Sequence, residues 1–180
     1  MDQSKINIFS VNIDNLSLNE TLDKISHAVK QKKQLHHVVV NAGKIVAMQQ
    51  DEQLRKSVNA CDIINADGQA VVWASRLLKK PLKERVAGID LMENLVELSA
   101  KKNYKVYLLG AKQEIIKKVV NIYKDKYSED FIAGYRNGYF KSDEEEEIAR
   151  DIANSGAQIL FVAISSPKKE NFLYNHRQTL

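Results

Sequence analysis

Hydrophobic positions along the chain follow two spacings, one typical of buried strands and the other of amphipathic helices. Three successive valines lie within His37–Asn41, and Tyr104–Leu109 forms a second strand-like run that ends at Gly110. The unbroken run of three valines is typical of a strand that is buried on both faces. Between such runs, as in Gln113–Tyr127, apolar residues recur every three or four positions, which favours a helix. The pattern therefore predicts strands and helices in alternation.

Turn and cap residues mark the ends of these elements. Two stretches have the form of capping boxes, one from Ser17 to Glu20 and one from Ser142 to Glu145. The predicted strands are Ile6–Val11, His37–Asn41, Asp62–Asn65, Tyr104–Leu109, Phe131–Tyr135 and Gln158–Ile164. One predicted helix starts at each of the two boxes, and another passes through Ile45 and Met48. Three more cover Gly68–Leu78, Leu91–Lys101 and Gln113–Tyr127, and the last opens at Pro167.

Repeated strand–helix–strand units predict an α/β fold that is Rossmann-like, with a mainly parallel sheet and helices on both faces. A length of 180 residues suits one domain over residues 1–180. Ligands of such folds bind beyond the carboxyl ends of the strands. Four loops follow predicted strands, so we expect them at one edge of the sheet: Asn41, Asn65–Gly68, Gly110–Gln113 and Ser165–Lys169.

Composition narrows the class of protein. The chain has one cysteine, Cys61, which allows no internal disulfide and no cysteine metal cluster. The longest apolar stretch, Ile159–Ile164, is too short to span a bilayer, and the polar start does not resemble a signal peptide. These features predict a cytoplasmic protein. The net charge of +4 suits an anionic small ligand or membrane surface, and nucleic-acid binding is the weaker interpretation because aromatic residues do not interleave with the basic ones.

The residues that could carry chemistry lie in the predicted loops, and each has a plainer alternative. Asp67 could be a catalytic base on a rigid element or simply the cap of the next helix. Arg85 could neutralise a diphosphate or form a surface ion pair with Glu84 or Asp90. Gly110 opens a turn whose backbone N–H groups could meet phosphate, although one glycine is a weak signal.

The segment Ser165–Glu170 combines hydroxyls, a helix start and two lysines. It could hold an anion or be an ordinary helix start. The four histidines lack metal-ligand spacing, so surface or structural roles are expected and no metal site is predicted.

Taken together, these segments resemble one family, the WecB/TagA/CpsF glycosyltransferases. The match runs over NADGQAVVWASR at 65–76 and ERVAGIDL at 84–91, and then over Asn41, LLG at 108–110, NGYF at 137–140 and PKKE at 167–170. The combination of DG with ERVAGIDL carries most of the specificity. Val39 and Lys169 depart from the usual threonine and glutamine, which bears on the donor sugar more than on the reaction class.

The resemblance implies transfer of a sugar, often of the N-acetylmannosamine type, from a UDP-sugar to polyprenyl-diphosphate-linked N-acetylglucosamine. It implies that Asp67 is the general base, that Asn41 lines the same pocket and that Arg85 holds the diphosphate. Gly110, Ser165, Pro167, Lys169 and Glu170 are the further candidate substrate contacts. The implied chemistry needs neither a metal nor another cofactor.

The family resemblance also implies a peripheral membrane enzyme. Family members continue into a basic C-terminal segment that helps membrane docking, and this chain ends at Leu180. The sequence therefore predicts a catalytic core that lacks its docking segment and works at the inner face of the cell membrane. A homo-oligomer is left open. The rival interpretation is a nucleotide-sugar-binding domain without catalysis, in which Asp67 is only a helix cap.

Overall fold

The computed structural model describes residues 4–180, in which seven strands and eight α-helices are interspersed along the chain. The strands are β1 (Lys5–Ile8), β2 (Val11–Asp14), β3 (His37–Val40), β4 (Ile63–Ala66), β5 (Val106–Gly110), β6 (Ile132–Arg136) and β7 (Ile159–Ala163). The helices are α1 (Leu18–Lys30), α2 (Ala42–Gln50), α3 (Glu52–Asn59), α4 (Gln69–Leu77), α5 (Gly88–Lys102), α6 (Gln113–Lys126), α7 (Glu145–Asn154) and α8 (Lys168–Asn175). Short 3₁₀ turns cover Glu129–Phe131 and Ser142–Glu144.

The chain divides into two compact units, one up to Asn94 and one from Leu95 to Leu180. In the first unit β3 and β4 pair in parallel, and β1 and β2 form an antiparallel hairpin. In the second unit β5 lies between β6 and β7 and is parallel to both. The α/β class with parallel strand pairing is confirmed, although the parallel strands form two sheets rather than the one expected. A single domain over residues 1–180 stays a prediction.

The core of the first unit forms around β3 and β4. All four residues of β4 are buried, and Val40 at the end of β3 is fully buried as well. Ile64 and Ala66 pack with Val40 and with Met48 of α2 in one apolar cluster. Because both strands are fixed by this burial, the loops that leave their carboxyl ends start from rigid positions.

The predicted strand Ile6–Val11 is wrong, because the chain reverses within it. Phe9 and Ser10 both have positive φ, at 49° and 65°, and join β1 to β2 in a two-residue hairpin turn. Neither residue is a glycine or an asparagine, so the sequence carries no turn signal there. Two side-chain amides hold the turn instead. Gln49 donates to the Phe9 carbonyl at 2.9 Å, and Asn59 donates to the Ser10 carbonyl at 3.2 Å.

The two predicted capping boxes have different outcomes. Ser17 accepts a hydrogen bond from the Glu20 amide at 3.2 Å, and Glu20 accepts one from the Ser17 amide at 2.7 Å, so the first box is confirmed. The second box is shifted by one residue, because Glu144, not Glu145, reaches back and accepts from the Lys141 amide at 2.7 Å. The Glu144 carboxylate also meets Arg136 at 2.7 Å, an ion pair that helps to fix its position.

Candidate active site

Asp67 leaves the carboxyl end of β4 and is held there by the backbone on both sides. The Asp67 amide donates to the Val40 carbonyl at 2.8 Å, which extends the parallel ladder by one residue. The Ala66 carbonyl accepts from the Val86 amide at 2.9 Å, so the segment that precedes α5 runs beside the end of β4. The Asp67 side chain is partly exposed at this position.

The Asp67 carboxylate contacts the start of α5. Its Oδ2 atom accepts a hydrogen bond from the Gly88 amide at 3.3 Å, and Gly88 is the first residue of that helix. The expectation that Asp67 caps the following helix is wrong, since α4 has Gly68 as its N-cap and no side-chain cap bond. Oδ1 of Asp67 has no hydrogen-bond partner among residues 4–180. One oxygen is therefore fixed while the other remains available, an arrangement that a general base can use.

Gly88 allows this contact because it has no side chain. A Cβ atom at Gly88 would lie 3.3 Å from Cγ2 of Val39 and 3.7 Å from Oδ2 of Asp67. The N-terminus of α5 thus faces the carboxylate through its first backbone N–H group. Sequence reasoning did not single out Gly88, and the glycine that follows Arg85-Val86-Ala87 was the available signal.

Asn41 lies beside Asp67 at the end of β3. Its Oδ1 atom accepts from the Lys44 amide at 2.9 Å, so Asn41 is the N-cap of α2. A Cβ atom at Gly68 would lie 3.4 Å from Cβ of Asn41, which shows how closely the two loops approach. The structure thus brings Asn41 and Asp67 together, as the sequence predicted from their places after neighbouring strands.

Lys44 adds a cation that the sequence analysis missed. Its ammonium donates to the Val39 carbonyl at 2.9 Å, so the side chain folds back from the first turn of α2 toward the end of β3. The signal was a lysine three residues after the Asn41 cap, but its direction depends on the tertiary fold. This lysine places positive charge on the same side of the sheet as the β3 and β4 loops.

Arg85 pairs with Asp90 in the structure, which confirms the plainer of its two interpretations. Their side chains are 3.4 Å apart, and about half of each is exposed. Glu84 is not the partner, because its carboxylate accepts from the Leu18 amide. Exposed pairs of this kind contribute about 0–1 kcal/mol, so a phosphate could displace Asp90 at little cost. A diphosphate role for Arg85 stays a prediction.

In the second unit, Gly110 makes a close backbone contact. Its φ is 146°, and a Cβ atom there would overlap the Ala163 carbonyl, with the Ala163 carbonyl carbon at 2.6 Å. The Ala111 amide donates to the Ala163 carbonyl at 3.3 Å, and the Gly138 amide donates to the Ala111 carbonyl at 2.9 Å. The glycine is therefore required where the ends of β5 and β7 meet. Its predicted phosphate contact stays a prediction.

The segment Ser165–Glu170 opens α8 with side chains of different exposure. Ser165 and Pro167 are exposed, and the Ser165 carbonyl accepts from the Lys169 amide at 3.3 Å. Lys169 is partly exposed and lies 4.0 Å from the carboxylate of Glu170, which is only 4% exposed. A substrate contact of Ser165, Pro167, Lys169 or Glu170 stays a prediction.

The Lys168 side chain packs against an aromatic ring. Its ammonium lies 3.6 Å from the centroid of the Phe140 ring and donates to the Phe140 carbonyl. The ring of Phe140 packs in turn on Phe172 of α8. These contacts fix the start of α8, where Lys168 and Lys169 are both partly exposed.

A buried polar cluster lies on β3 and β4 behind Asp67. Asn65, which is fully buried, has its Oδ1 atom 2.9 Å from Nε2 of His37 and 3.3 Å from the Thr21 hydroxyl. Burial lowers the pKa of His37 to about 4 from its usual 6.5, although the Asn65 contact partly opposes the shift. His37 is therefore neutral in the folded protein at neutral pH.

This shift predicts a pH-dependent stability. The unfolded chain binds a proton at His37 below pH 6.5, whereas the folded chain does not until about pH 4. Stability from this group is therefore complete above pH 6.5 and is lost as the pH falls toward 4, by about 3 kcal/mol in total. Urea unfolding at several pH values should show this loss in the native protein and not in a His37→Gln variant. Equal losses in both proteins would contradict the assignment.

Residues 4–180 contain no group of three His, Cys, Asp or Glu side chains arranged to hold a metal ion. None of their helices combines the length and the apolar character that a bilayer crossing needs.

The sequence is similar to those of known transferases. The model of the glycosyl transferase WecG/TagA/CpsF family matches residues 6–180. The chain is also 33% identical over 171 residues to N-acetylglucosaminyldiphosphoundecaprenol N-acetyl-beta-D-mannosaminyltransferase of Bacillus subtilis (strain 168). The alignment covers 95% of this chain and 65% of that relative, so the chain spans less than two thirds of the relative's length.

Proposed function

Because this chain belongs to the glycosyl transferase WecG/TagA/CpsF family, we propose that it transfers an N-acetylmannosamine-type sugar from a UDP-sugar to a lipid-linked acceptor. The acceptor in this proposal is N-acetylglucosamine on a polyprenyl diphosphate, as the name of the Bacillus subtilis relative suggests. The product would serve as a linkage unit or as a precursor of a surface polysaccharide. The enzyme would work as a peripheral protein at the inner face of the cell membrane.

The observation that carries the proposal is the state of the Asp67 carboxylate. Gly88 holds Oδ2 at 3.3 Å and so fixes the plane of the group beside Asn41. Oδ1 is then the atom that can take the proton from an acceptor hydroxyl. A cap on α4 would have engaged the carboxylate with the helix that follows it, and the structure has no such bond.

The reaction follows from that placement. As Asp67 takes the proton, the acceptor oxygen forms a bond to the anomeric carbon of the donor. The bond from that carbon to the diphosphate oxygen breaks, and UDP leaves with the electron pair. Arg85 offsets the charge that develops on the diphosphate, which is the form of electrostatic stabilisation that lowers such barriers most. In this proposal side-chain cations take the part that a metal ion plays in other transferases.

The remaining candidate contacts are assigned to the substrates as a group. Asn41 would contact substrate through the part of its amide that does not cap α2. In the second unit, Lys169 would contact substrate directly and Glu170 would orient it. Gly110, Ser165 and Pro167 would shape the backbone around that contact.

A binding measurement tests the role of Arg85. Arg85→Gln should weaken UDP by about 10–100-fold, since a hydrogen bond to a charged group contributes about 1.5–3 kcal/mol, and should leave uridine almost unaffected. Isothermal titration calorimetry with both ligands makes the comparison. Arg55→Gln is the matched control, because Arg55 is a partly exposed arginine that likewise lies near one carboxylate, 3.9 Å from Glu52. Equal losses for UDP and uridine would argue against phosphate contact.

Turnover by the native protein tests the proposal as a whole. Incubation with UDP-N-acetylmannosamine and a polyprenyl-diphosphate-linked N-acetylglucosamine should yield a lipid-linked disaccharide and UDP. Binding of UDP with no transfer to any lipid-diphosphate acceptor would instead favour a nucleotide-sugar-binding domain without catalysis.

A further inference from the structure

The outer face of α4 is apolar although it faces solvent. The exposed fractions of Trp73 and Leu77 are 62% and 85%, and Leu78 is exposed as well. The opposite face of the helix is the one that packs, through Val71 and Val72. Since Trp73 and Leu77 are one helical turn apart, they form a continuous apolar stripe that contributes nothing to the core of the first unit.

The segment that carries this stripe is basic and contains no acid. The segment Gly68–Lys83 holds 4 of the 27 basic residues of the chain and none of its 23 acids, an excess equal to the net charge of +4. Lys83 is paired with Glu20 at 2.7 Å. Arg76, Lys79 and Lys80 are exposed, and their side chains form no ion pair within residues 4–180.

The turn after α4 fixes these cations next to the apolar stripe. The Lys80 amide donates to the Ser75 carbonyl at 2.8 Å and the Lys79 amide donates to the Arg76 carbonyl at 2.9 Å, which is a Schellman motif. Lys79 occupies its left-handed position, with φ of 56°. The Ser75 hydroxyl also accepts from the Leu82 amide at 3.0 Å, so the turn is tied to the buried side of the helix.

We propose that this α4 face, defined by Trp73, Arg76, Leu77, Lys79 and Lys80, docks on an anionic lipid bilayer. Tryptophan favours the boundary between headgroups and acyl chains, where its ring is apolar and its N–H can bind polar groups. Basic residues beside an apolar helix face draw it to anionic lipid. The charge complementarity and the single-sided exposure together identify the bilayer as the occupant.

Docking here would bring the candidate active site to the membrane surface. Gln69, the first residue of α4, follows Asp67 by two positions, and the nine-residue helix is about 14 Å long at 1.5 Å per residue. A sugar on a lipid diphosphate lies just outside the headgroups. The docked helix would therefore hold Asp67 near the depth of that sugar. This consequence of docking rests on the proposed function, because it concerns the acceptor sugar. Binding of the α4 face to the bilayer does not depend on catalysis.

The chain carries its own probe for the experiment. Trp73 is the only tryptophan of the sequence, so tryptophan fluorescence reports on the α4 face alone. Vesicles of phosphatidylcholine and phosphatidylglycerol, without donor or acceptor, should shift this emission to the blue and carry the protein into the pellet on centrifugation. Vesicles of phosphatidylcholine alone should do neither, and added salt should release the protein because it screens the cations.

Variants separate this face from general basicity. Replacing Arg76, Lys79 and Lys80 with glutamine should weaken vesicle binding by about 100-fold, since each cation contributes roughly fivefold. The matched control replaces the exposed Lys101, Lys102 and Lys118 with glutamine and should bind as the native chain does.

The apolar stripe needs its own pair of variants. Trp73→Gln with Leu77→Gln should abolish sedimentation with vesicles. Ile115→Gln with Ile122→Gln, which removes two exposed isoleucines of α6, should have little effect.

Three results would overturn the docking proposal: no blue shift with anionic vesicles, equal loss of binding in the α4 and control variants, or a Trp73 shift that follows protein concentration without lipid. The last would indicate contact between copies of the chain. Transfer to a water-soluble, short-chain acceptor should be the same in the α4 variants and the native protein. If the native protein bound vesicles but transferred no sugar, the proposed function would be wrong and the docking proposal would be unaffected.

Discussion

Replacing Asp67 with asparagine should lower the rate of sugar transfer by roughly 10²–10⁴-fold, the usual contribution of a general base. The amide has the same shape as the carboxylate and keeps an oxygen that can accept from Gly88, so the β4 loop should be unchanged. The affinity for UDP should also be unchanged, because the substitution removes no cation. Steady-state transfer rates and UDP titrations on the same preparations measure both quantities.

A matched aspartate controls for the loss of charge. Asp23 is exposed on α1, and Asp23→Asn should transfer sugar at the native rate. If Asp67→Asn retained more than a tenth of native turnover, Asp67 would not be the base. Its hydrogen bond with Gly88 would then serve only to hold the loop in place. A parallel loss of UDP affinity would point to a distorted loop.

Replacing Gly110 with alanine should destabilise the protein by about 4 kcal/mol. Two costs add, namely the strain of an alanine at φ of 146°, and the overlap of its Cβ with the Ala163 carbonyl group. Each cost is typically about 1–3 kcal/mol. The contacted atoms are backbone atoms of β7, which cannot move aside as the end of a flexible side chain could. Chemical denaturation followed by circular dichroism gives the free energy of unfolding.

Gly156 separates the two costs. It also has positive φ, at 74°, but a Cβ atom there would meet nothing within 4 Å. Gly156→Ala should therefore cost only about 1–2 kcal/mol, from left-handed backbone strain alone. If the two variants lost the same free energy of unfolding, the close approach of Gly110 to Ala163 would contribute nothing to the destabilisation.

The features that the sequence predicted correctly depend on short stretches of chain. The Ser17–Glu20 box was recognisable because donor and acceptor are three residues apart. The position of Asp67 followed from the apolar run before it, and that run predicted β4 to within a residue or two. Parallel pairing then followed from the alternation of strands and helices, which leaves few other topologies.

The features that were missed depend on residues far apart in sequence. The Gly88 amide reaches Asp67 across 21 positions, so the base and its anchor could not be linked from local pattern. The close approach of Gly110 to Ala163 was missed because it forms only when β7 pairs with β5. The second capping box is closed by Glu144, whose carboxylate also pairs with Arg136 of β6. In each case the contact lies outside the local pattern of the sequence.

The turn of the β1–β2 hairpin has a consequence for the order of folding. Its left-handed residues, Phe9 and Ser10, are not the types that form such a turn by themselves. The amides that secure it come from Gln49 and Asn59, 40 and 49 positions later in the chain. Closing loops of that length costs entropy before any bond is gained. The N-terminal hairpin should thus form late, after α2 and α3 have docked, and substitutions in it should speed unfolding rather than slow folding.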